Sequence, residues 1–135
     1  MTPASPPAFF PAFLIDTHVL LWLDEEPERL SEHVLGLLRD PQHAVYCSAA
    51  SLWEIAVKQN VGKLRIKGAL PSLLELYGLT ELPVTARYAE LTRTLPMHHR
   101  DPFDRMLVAQ AMAEQLVLIS ADRQMLAYEV AILSC

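Results

Sequence analysis

Three acidic residues stand beside apolar segments at positions that could support metal chemistry. Asp16 directly follows the apolar run 13–15, and Asp122 comes three residues after the apolar run 116–119. Asp104 lies in the first turn of a helix predicted to begin after residue 101. Oxygen-only ligand sets favour hard cations such as Mg²⁺ or Mn²⁺. The residue types therefore predict a divalent-cation site, provided that the fold brings these acids together.

A fourth acid, Glu54, lies within an apolar helical stretch. Leu52, Ile55 and Ala56 form the apolar stripe of this predicted helix, so Glu54 stands among apolar neighbours. The alternative is an exposed ion pair with Lys58 one turn later, which contributes only about 0.2–0.5 kcal/mol in a helix. From the residues alone, both interpretations stay open.

Helix capping is the alternative explanation for Asp16 and Asp122. Aspartate is a favoured N-cap residue, so Asp16 could simply begin the next helix, although Thr17 can also take that role. Asp122 follows Ser120, itself a good cap, and could be an acid that the helix dipole favours. Capping therefore competes with metal binding at both positions.

Asp101 and Asp104 flank Pro102 at a predicted helix start. Proline at the first helical position places Asp101 at the N-cap and Asp104 at the third helical residue. The cap explains Asp101 fully but leaves Asp104 less well explained. We therefore rank Asp104 as the metal candidate and Asp101 as a cap or an outer contact of the site.

Other catalytic patterns are absent from the sequence. His98 and His99 are adjacent, so they cannot share a helix face as zinc-binding pairs do. The chain has no glycine-flanked serine elbow, and its four glycines form no phosphate-binding loop. The four acids are also far apart in the chain, unlike the clustered ligands of a calcium-binding loop.

Short apolar strands alternate with helices along the chain. This alternation predicts a parallel sheet covered by helices on both faces, with ligands at the carboxyl ends of the strands. Asp16 and Asp122 would then lie at the same edge of the sheet. The predicted strands cover residues 13–15, 44–47, 79–82, 116–119 and 130–133. One predicted helix covers residues 70–77, and the others begin at the caps Thr17, Ser31, Ser48, Thr85, Asp101 and Ser120.

Length and composition favour a single domain. The chain has 135 residues, of which 52% are hydrophobic and 20% charged, and its net charge is −5. This acidic balance argues against coating nucleic acid by bulk electrostatics, but not against an enzyme that acts on it at one site. Residues 1–12 hold four of the ten prolines. We expect them to form a flexible arm, and residues 13–135 to form the domain.

Cysteine use and hydropathy predict a cytoplasmic protein. Cys47 and Cys135 are too few for a disulfide framework, so we interpret them as reduced thiols. No apolar run approaches the ~18 residues needed to span a bilayer. The first basic residue is Arg29, so the N-terminus lacks the positive start of a signal peptide.

Four separate motifs resemble the PIN domain family. The matching segments are residues 16–22 (DTHVLLW), 48–58 (SAASLWEIAVK), 99–111 (HRDPFDRMLVAQA) and 118–122 (LISAD). Within that family the chain looks most like the VapC-type toxin ribonucleases of bacterial type II toxin–antitoxin systems. The resemblance covers residues 13–135, and the order of the four motifs makes it specific.

The resemblance implies a three-layer α/β/α fold with a mainly parallel sheet, and a Mg²⁺- or Mn²⁺-dependent endoribonuclease. Carried over by motif, the catalytic and metal-binding acids are Asp16, Glu54, Asp104 and Asp122. Ser120 stands where the family often has threonine, and its retained hydroxyl implies an outer contact of the site. The resemblance also implies an RNA substrate, a protein antitoxin and a homodimer.

Basic residues after Glu54 predict a rim that contacts RNA. No acid lies between Glu54 and Glu75, and this stretch contains Lys58, Lys63, Arg65 and Lys67. Contacts to backbone phosphates need such cations, although a solvated helix end and turn would look the same. Further candidates for RNA contact are Arg93, Arg100 and Arg105.

The predicted reaction is hydrolysis of an RNA phosphodiester by a metal-activated water, which leaves a 5′-phosphate and a 3′-hydroxyl. One rival is a non-catalytic PIN-like binding module, although all four acids are present. Another is a metal-dependent phosphatase with an aspartyl nucleophile. Such a phosphatase usually has a second acid two residues after the first, where this chain has His18.

Overall fold

A sheet of five parallel strands organises the part of the chain that the computed structural model describes, which is residues 11–128 and 131–135. The strand order is β3-β2-β1-β4-β5, so the first strand of the chain is central. The mainly parallel sheet predicted from the sequence is confirmed. The strands are β1 (Phe13–Ile15), β2 (Val45–Ser48), β3 (Thr80–Leu82), β4 (Val117–Ser120) and β5 (Ile132–Ser134).

Helices connect the strands and cover both faces of the sheet. Two short 3-10 turns, Pro27–Arg29 and Arg123–Ala127, complete the described elements. The α-helices are α1 (Thr17–Glu25), α2 (Glu32–Arg39), α3 (Ala49–Asn60), α4 (Leu70–Tyr77), α5 (Ala86–Thr92) and α6 (Pro102–Glu114).

Alternate residues of β1 point into two separate apolar cores. Phe13 and Ile15 pack with buried side chains of α1 to α4, whereas Leu14 packs with Leu107 and Val108 of α6. A parallel strand buried on both faces must be apolar throughout, which explains the continuous run at residues 13–15. The result is the expected three-layer α/β/α arrangement.

The register of the sheet brings two of the acids to the same edge. Ile15, the last residue of β1, lies beside Cys47 of β2 and Ile119 of β4. The backbone N–H of Asp16 extends this pairing by donating to the Ile119 carbonyl at 3.1 Å. Asp16 and the residues after β4 therefore leave the sheet side by side.

Two of the predicted helix caps are wrong. Asp16, not Thr17, caps α1, because its side chain accepts the N–H of Val19, while Thr17 is the first helical residue. Asp122, not Ser120, caps the turn Arg123–Ala127 by accepting the N–H of Gln124. In each case the first aspartate after the strand takes the cap.

The remaining predicted boundaries shift only slightly. Thr85 occupies the N-cap position of α5 but makes no side-chain capping bond, and α5 ends at Thr92. The strands after the first begin one or two residues later than predicted. Of the predicted N-terminal arm, residues 1–10 lie outside the described residues.

The two cysteines are free thiols, with Cys47 buried in β2 and Cys135 half-buried. Burial, with a contribution from the nearby Glu81, raises the pKa of the Cys47 thiol to about 12. Across residues 11–128 and 131–135, no helix combines the length and apolar character that crossing a bilayer requires.

Candidate metal centre

Asp16 stands at the end of β1 with both carboxylate oxygens engaged. Its side chain is almost fully buried, at 3% exposure. Oδ1 accepts the Val19 N–H at 2.9 Å, which is the helix cap. Oδ2 accepts the hydroxyl of Ser120 at 2.6 Å. Capping and a role in the site are therefore compatible, because each uses a different oxygen.

Burial raises the pKa of Asp16 above its usual value. Hydrogen bonds from Ser120 and Val19 lower the pKa in part, and the nearby carboxylate of Asp122 raises it. The fold thus holds this carboxylate rigidly in a place where its negative charge is poorly solvated. A cation nearby would stabilise the ionised form.

Glu54 is buried as well, at 4% exposure, in the middle of α3. Its Oε1 accepts the hydroxyl of Thr17 at 2.6 Å, and its Oε2 accepts Lys58 Nζ at 2.7 Å. The ion pair with Lys58 exists, but Glu54 is not the exposed partner that a surface pair would need. A hydrogen bond to a buried charged group contributes about 1.5–3 kcal/mol, so Thr17 ties α1 to α3.

Asp104 lies in the first turn of α6, next to the cap. Asp101 Oδ1 accepts the N–H groups of Phe103 and Asp104 at 2.8 and 3.1 Å, as the sequence predicted for the N-cap. Burial raises the pKa of Asp104 to about 7, and the charges of Asp101, Glu54 and Asp16 contribute, against a lowering effect of His99. The acids at the starts of α1 and α6 and in the middle of α3 thus act on one another through space.

Asp122 is the most exposed of the four acids. Its Oδ1 accepts the Gln124 N–H at 2.9 Å, and its own N–H donates to Ser120 Oγ at 3.0 Å. Partial burial raises the pKa of Asp122, but the hydrogen bonds from Gln124 and His99 outweigh that effect and hold the pKa below its usual value. Asp122 therefore stays ionised more readily than an ordinary aspartate.

Sequence reasoning missed His99, which joins two of the acids. Its Nε2 lies 2.7 Å from Asp122 Oδ2 and 3.1 Å from Asp104 Oδ2. The three side chains each place one ligand atom within 4.8 Å of the others, and Asp16 and Glu54 are outside this tightest group of described residues. No helical or strand periodicity could indicate the direction of the His99 side chain, because His99 lies in the loop before α6.

Asp16, Asp104 and Asp122 open onto a shared cleft of about 270 Å³, which His18, Trp22 and Ala121 also line. The donors are mostly carboxylate oxygens, and the charge of Asp122 raises the pKa of Asp16, as that of Asp16 raises the pKa of Asp104. A hard divalent cation fits this donor set, because it would be bound by oxygen and would relieve the repulsion.

The predicted basic rim is mostly exposed. Lys63, Arg65 and Lys67 lie on the surface after α3, as does Arg100 before α6. Lys58 is half-exposed, and its ammonium is bound to Glu54. These positions leave the four surface cations accessible to a polyanion.

Two other arginines named in the sequence have partners within the fold. Arg93 pairs with Glu90 at 3.0 Å on the surface of α5. The guanidinium of Arg105 donates to the carbonyls of Thr92, Leu95 and Pro96 at 2.9–3.2 Å. Arg105 therefore stabilises the loop between α5 and α6 through hydrogen bonds to its backbone.

Comparison with sequence families finds one match over most of the chain. The PIN domain family matches residues 13–131. Ribonuclease VapC22 of Mycobacterium tuberculosis (strain ATCC 25618 / H37Rv) is 29% identical over 117 residues, which is 83% of this chain and 88% of that protein.

Solved structures share the fold at low identity. The VapBC2 complex of Rickettsia felis, bound to a DNA fragment from its promoter, includes a chain with a TM-score of 0.66 at 17% identity, covering 92% of this chain and 98% of that one. A chain of FitAcB from Neisseria gonorrhoeae gives a TM-score of 0.61 at 22% identity, covering 89% and 95%.

Proposed function

This chain belongs to the PIN domain family, and from that premise we propose that it is a divalent-cation-dependent endoribonuclease, the toxin of a toxin–antitoxin system. One observation carries the proposal. Asp16, Glu54 and Asp104 come from three distant parts of the chain, and the charges of Glu54 and Asp16 add to the burial that raises the pKa of Asp104 to about 7. Such mutual repulsion is typical of an acid cluster that binds a cation.

The residues that would hold Mg²⁺ or Mn²⁺ are Asp16, Asp104, Glu54 and Asp122. When bound, the cation acidifies a water for attack on the phosphodiester and neutralises charge on the scissile phosphate. In the reaction we propose, the attacking water displaces the ribose 3′-oxygen, and the products carry a 5′-phosphate and a 3′-hydroxyl. No side chain serves as a covalent nucleophile.

The other polar residues of the site hold the acids in place. Ser120 donates to Asp16 and accepts from the backbone of Asp122, so it links the acids after β1 and β4. Asp101 fixes the first turn of α6, and thereby the position of Asp104. Thr17 orients Glu54 through its 2.6 Å hydrogen bond.

RNA would approach across the surface cations Lys63, Arg65, Lys67 and Arg100. Contacts to backbone phosphates position an RNA without reading its sequence, so this rim would add affinity for many single strands. Lys58, one turn after Glu54, is bound to that acid, and in our proposal it contacts a phosphate next to the cleaved bond.

The partners we propose follow from the relatives. The Rickettsia felis structure is of a VapBC2 complex, and we infer a protein antitoxin and a homodimer for this chain as well. Free thiols and an RNA substrate fit action in the cytoplasm. We also propose that residues 1–12 are an appendage to a single catalytic domain of residues 13–135.

RNA end mapping after induced expression tests the toxin role. Cells expressing the wild type should acquire new RNA ends with 5′-phosphates at a small set of sites, and growth should stop. Cells expressing Asp16→Asn at the same level should show neither change. New ends that are equally frequent with Asp16→Asn would contradict the proposal.

A parallel assay separates the two rival functions. Small phosphate esters are substrates of an aspartyl phosphatase but not of an endoribonuclease. We expect no turnover of such esters by the purified protein under conditions in which it cleaves RNA. RNA binding without cleavage of any RNA would instead favour the binding module.

A further inference from the structure

We propose that His99 is a positioning residue of the cation site, whose Nε2–H holds the carboxylates of Asp104 and Asp122 together without itself binding the ion. This inference rests on the proposed function, in that it takes the acid cluster to be a cation site. It concerns a residue outside the set of acids carried over from the sequence motifs.

The tautomer of His99 follows from a backbone contact. The N–H of Asp101 donates to His99 Nδ1 at 3.0 Å, so Nδ1 carries no proton. In the neutral ring the proton is then on Nε2. The two atoms within reach of Nε2 are both carboxylate oxygens, Asp122 Oδ2 at 2.7 Å and Asp104 Oδ2 at 3.1 Å. A ring nitrogen that donates to carboxylates has no lone pair for a metal.

Contacts of the His99 backbone also hold the residue in place. The His99 N–H donates to the hydroxyl of Tyr128 at 2.9 Å, and Arg105 Nη1 reaches the same hydroxyl at 3.3 Å. Tyr128 is buried, and Arg105 also donates to the His99 carbonyl at 3.4 Å. These contacts fix the loop, so the imidazole has little freedom to turn its other nitrogen toward the acids.

The geometry gives His99 a task that no other described residue performs. Asp104 lies in α6 and Asp122 lies after β4, so the two acids belong to different secondary-structure elements. Two carboxylates repel when they approach, and a shared N–H donor between them opposes that repulsion. Outer contacts of this kind tune metal affinity, and their loss typically costs about 10–100-fold in affinity or activity.

Binding of Mn²⁺ tests this role directly, without RNA. Titration calorimetry on His99→Ala should show Mn²⁺ affinity reduced by about 10–100-fold. His99→Gln should recover most of it, because its amide nitrogen can donate from a position close to Nε2. The matched control is His98→Ala, which removes an exposed neighbouring imidazole whose ring packs on Tyr128 and leaves the Tyr128 hydroxyl available to the His99 N–H. If His99→Ala does not fold, His99→Asn replaces it, because its amide is too short to reach both acids.

Electron spin-echo spectroscopy of bound Mn²⁺ separates positioning from ligation. We expect no signal from a directly coordinated imidazole nitrogen in the wild type. Such a signal, lost in the His99 variants, would overturn the proposal, as would wild-type Mn²⁺ affinity in His99→Ala. Failure of the proposed function looks different, because the protein would then bind Mn²⁺ with this dependence on His99 and still cleave no RNA.

Discussion

The hydroxyl of Ser120 donates a 2.6 Å hydrogen bond to Oδ2 of Asp16 across 104 positions of sequence. The hydroxyl oxygen of Ser120 accepts the backbone N–H of Asp122, so one small side chain connects the acids that follow β1 and β4. Both strands end at this point of the sheet, and the register places them side by side. The bond is therefore a direct consequence of the parallel topology.

Replacing Ser120 by alanine should weaken cation binding. The change removes the donor to Asp16 Oδ2, so the pKa of this buried carboxyl should rise further and its ionised form should become scarcer. We expect Mn²⁺ affinity to fall by about 10–100-fold, as for other outer contacts of metal sites. The matched control is Ser120→Thr, which keeps the hydroxyl and should bind Mn²⁺ nearly as the wild type does. Equal affinities for the alanine and threonine variants would contradict the role of this bond.

The raised pKa of Asp104 predicts a pH dependence of stability in the metal-free protein. Folding raises this pKa from about 3.8 to about 7, so the folded state holds a proton that the unfolded chain releases. The stabilisation from this proton is complete below the unfolded pKa and is lost as the pH rises through the folded pKa. The free energy of unfolding in EDTA should therefore decrease between about pH 4 and about pH 7 by more in the wild type than in Asp104→Asn.

Urea unfolding at several pH values measures this difference. Subtracting the Asp104→Asn curve removes the contributions of the other acids, including Asp122, whose pKa shifts the opposite way. Added Mg²⁺ should stabilise the wild type most at the upper end of the range, where the carboxylates are ionised. Parallel curves for wild type and variant would mean that Asp104 titrates as an ordinary surface acid.

Neutralising the basic rim should change how RNA binding depends on salt. Each lost contact to a single-stranded phosphate lowers the slope of log K against log salt by about 0.7, so replacing Lys63, Arg65 and Lys67 by glutamine should lower it by about 2. Binding is measured in the Asp16→Asn background to prevent cleavage. Neutralising the exposed Arg39 and Arg87 should leave the slope nearly unaltered. A slope that the triple variant leaves unchanged would show that the rim does not contact phosphate.

Much of the fold could be predicted from local sequence signals. The continuous apolar runs at residues 13–15 and 116–119 predicted buried parallel strands, and proline at position 102 predicted the start of α6 with Asp101 as its cap. The family resemblance read from four motifs is confirmed by the family match over residues 13–131. These signals are strong because each depends on neighbours in the chain.

The misassigned caps show what local reasoning could not decide. Asp16 and Thr17 are both good capping residues, and only the sheet register shows that Ser120 leaves one oxygen of Asp16 free to cap α1. Ser120 does not cap the turn Arg123–Ala127, because it is the last residue of β4 and its hydroxyl oxygen accepts the N–H of Asp122. The contact between Asp16 and Ser120 spans 104 positions, and no sequence pattern encodes it.

His99 could not be predicted for a related reason. His98 and His99 are adjacent and therefore lack the spacing of zinc ligands. A loop residue also has no periodicity that would indicate where its side chain points. The role of His99 depends on Arg105, whose guanidinium donates to the carbonyls of Thr92, Leu95 and Pro96 and so shapes the loop. Such packing of a loop around a guanidinium appears only in the folded chain.

Cleavage of a labelled single-stranded RNA by the purified protein tests the central claim most directly. Asp16→Asn is the decisive variant, because asparagine also caps helices and should leave the fold intact. With Mg²⁺ or Mn²⁺, the wild type should release fragments with 5′-phosphates. EDTA should abolish this cleavage, and Asp16→Asn should slow it by more than the roughly 100-fold that loss of an outer contact costs. Cleavage that persists both in EDTA and in Asp16→Asn would contradict a cation held by these acids as the basis of the activity.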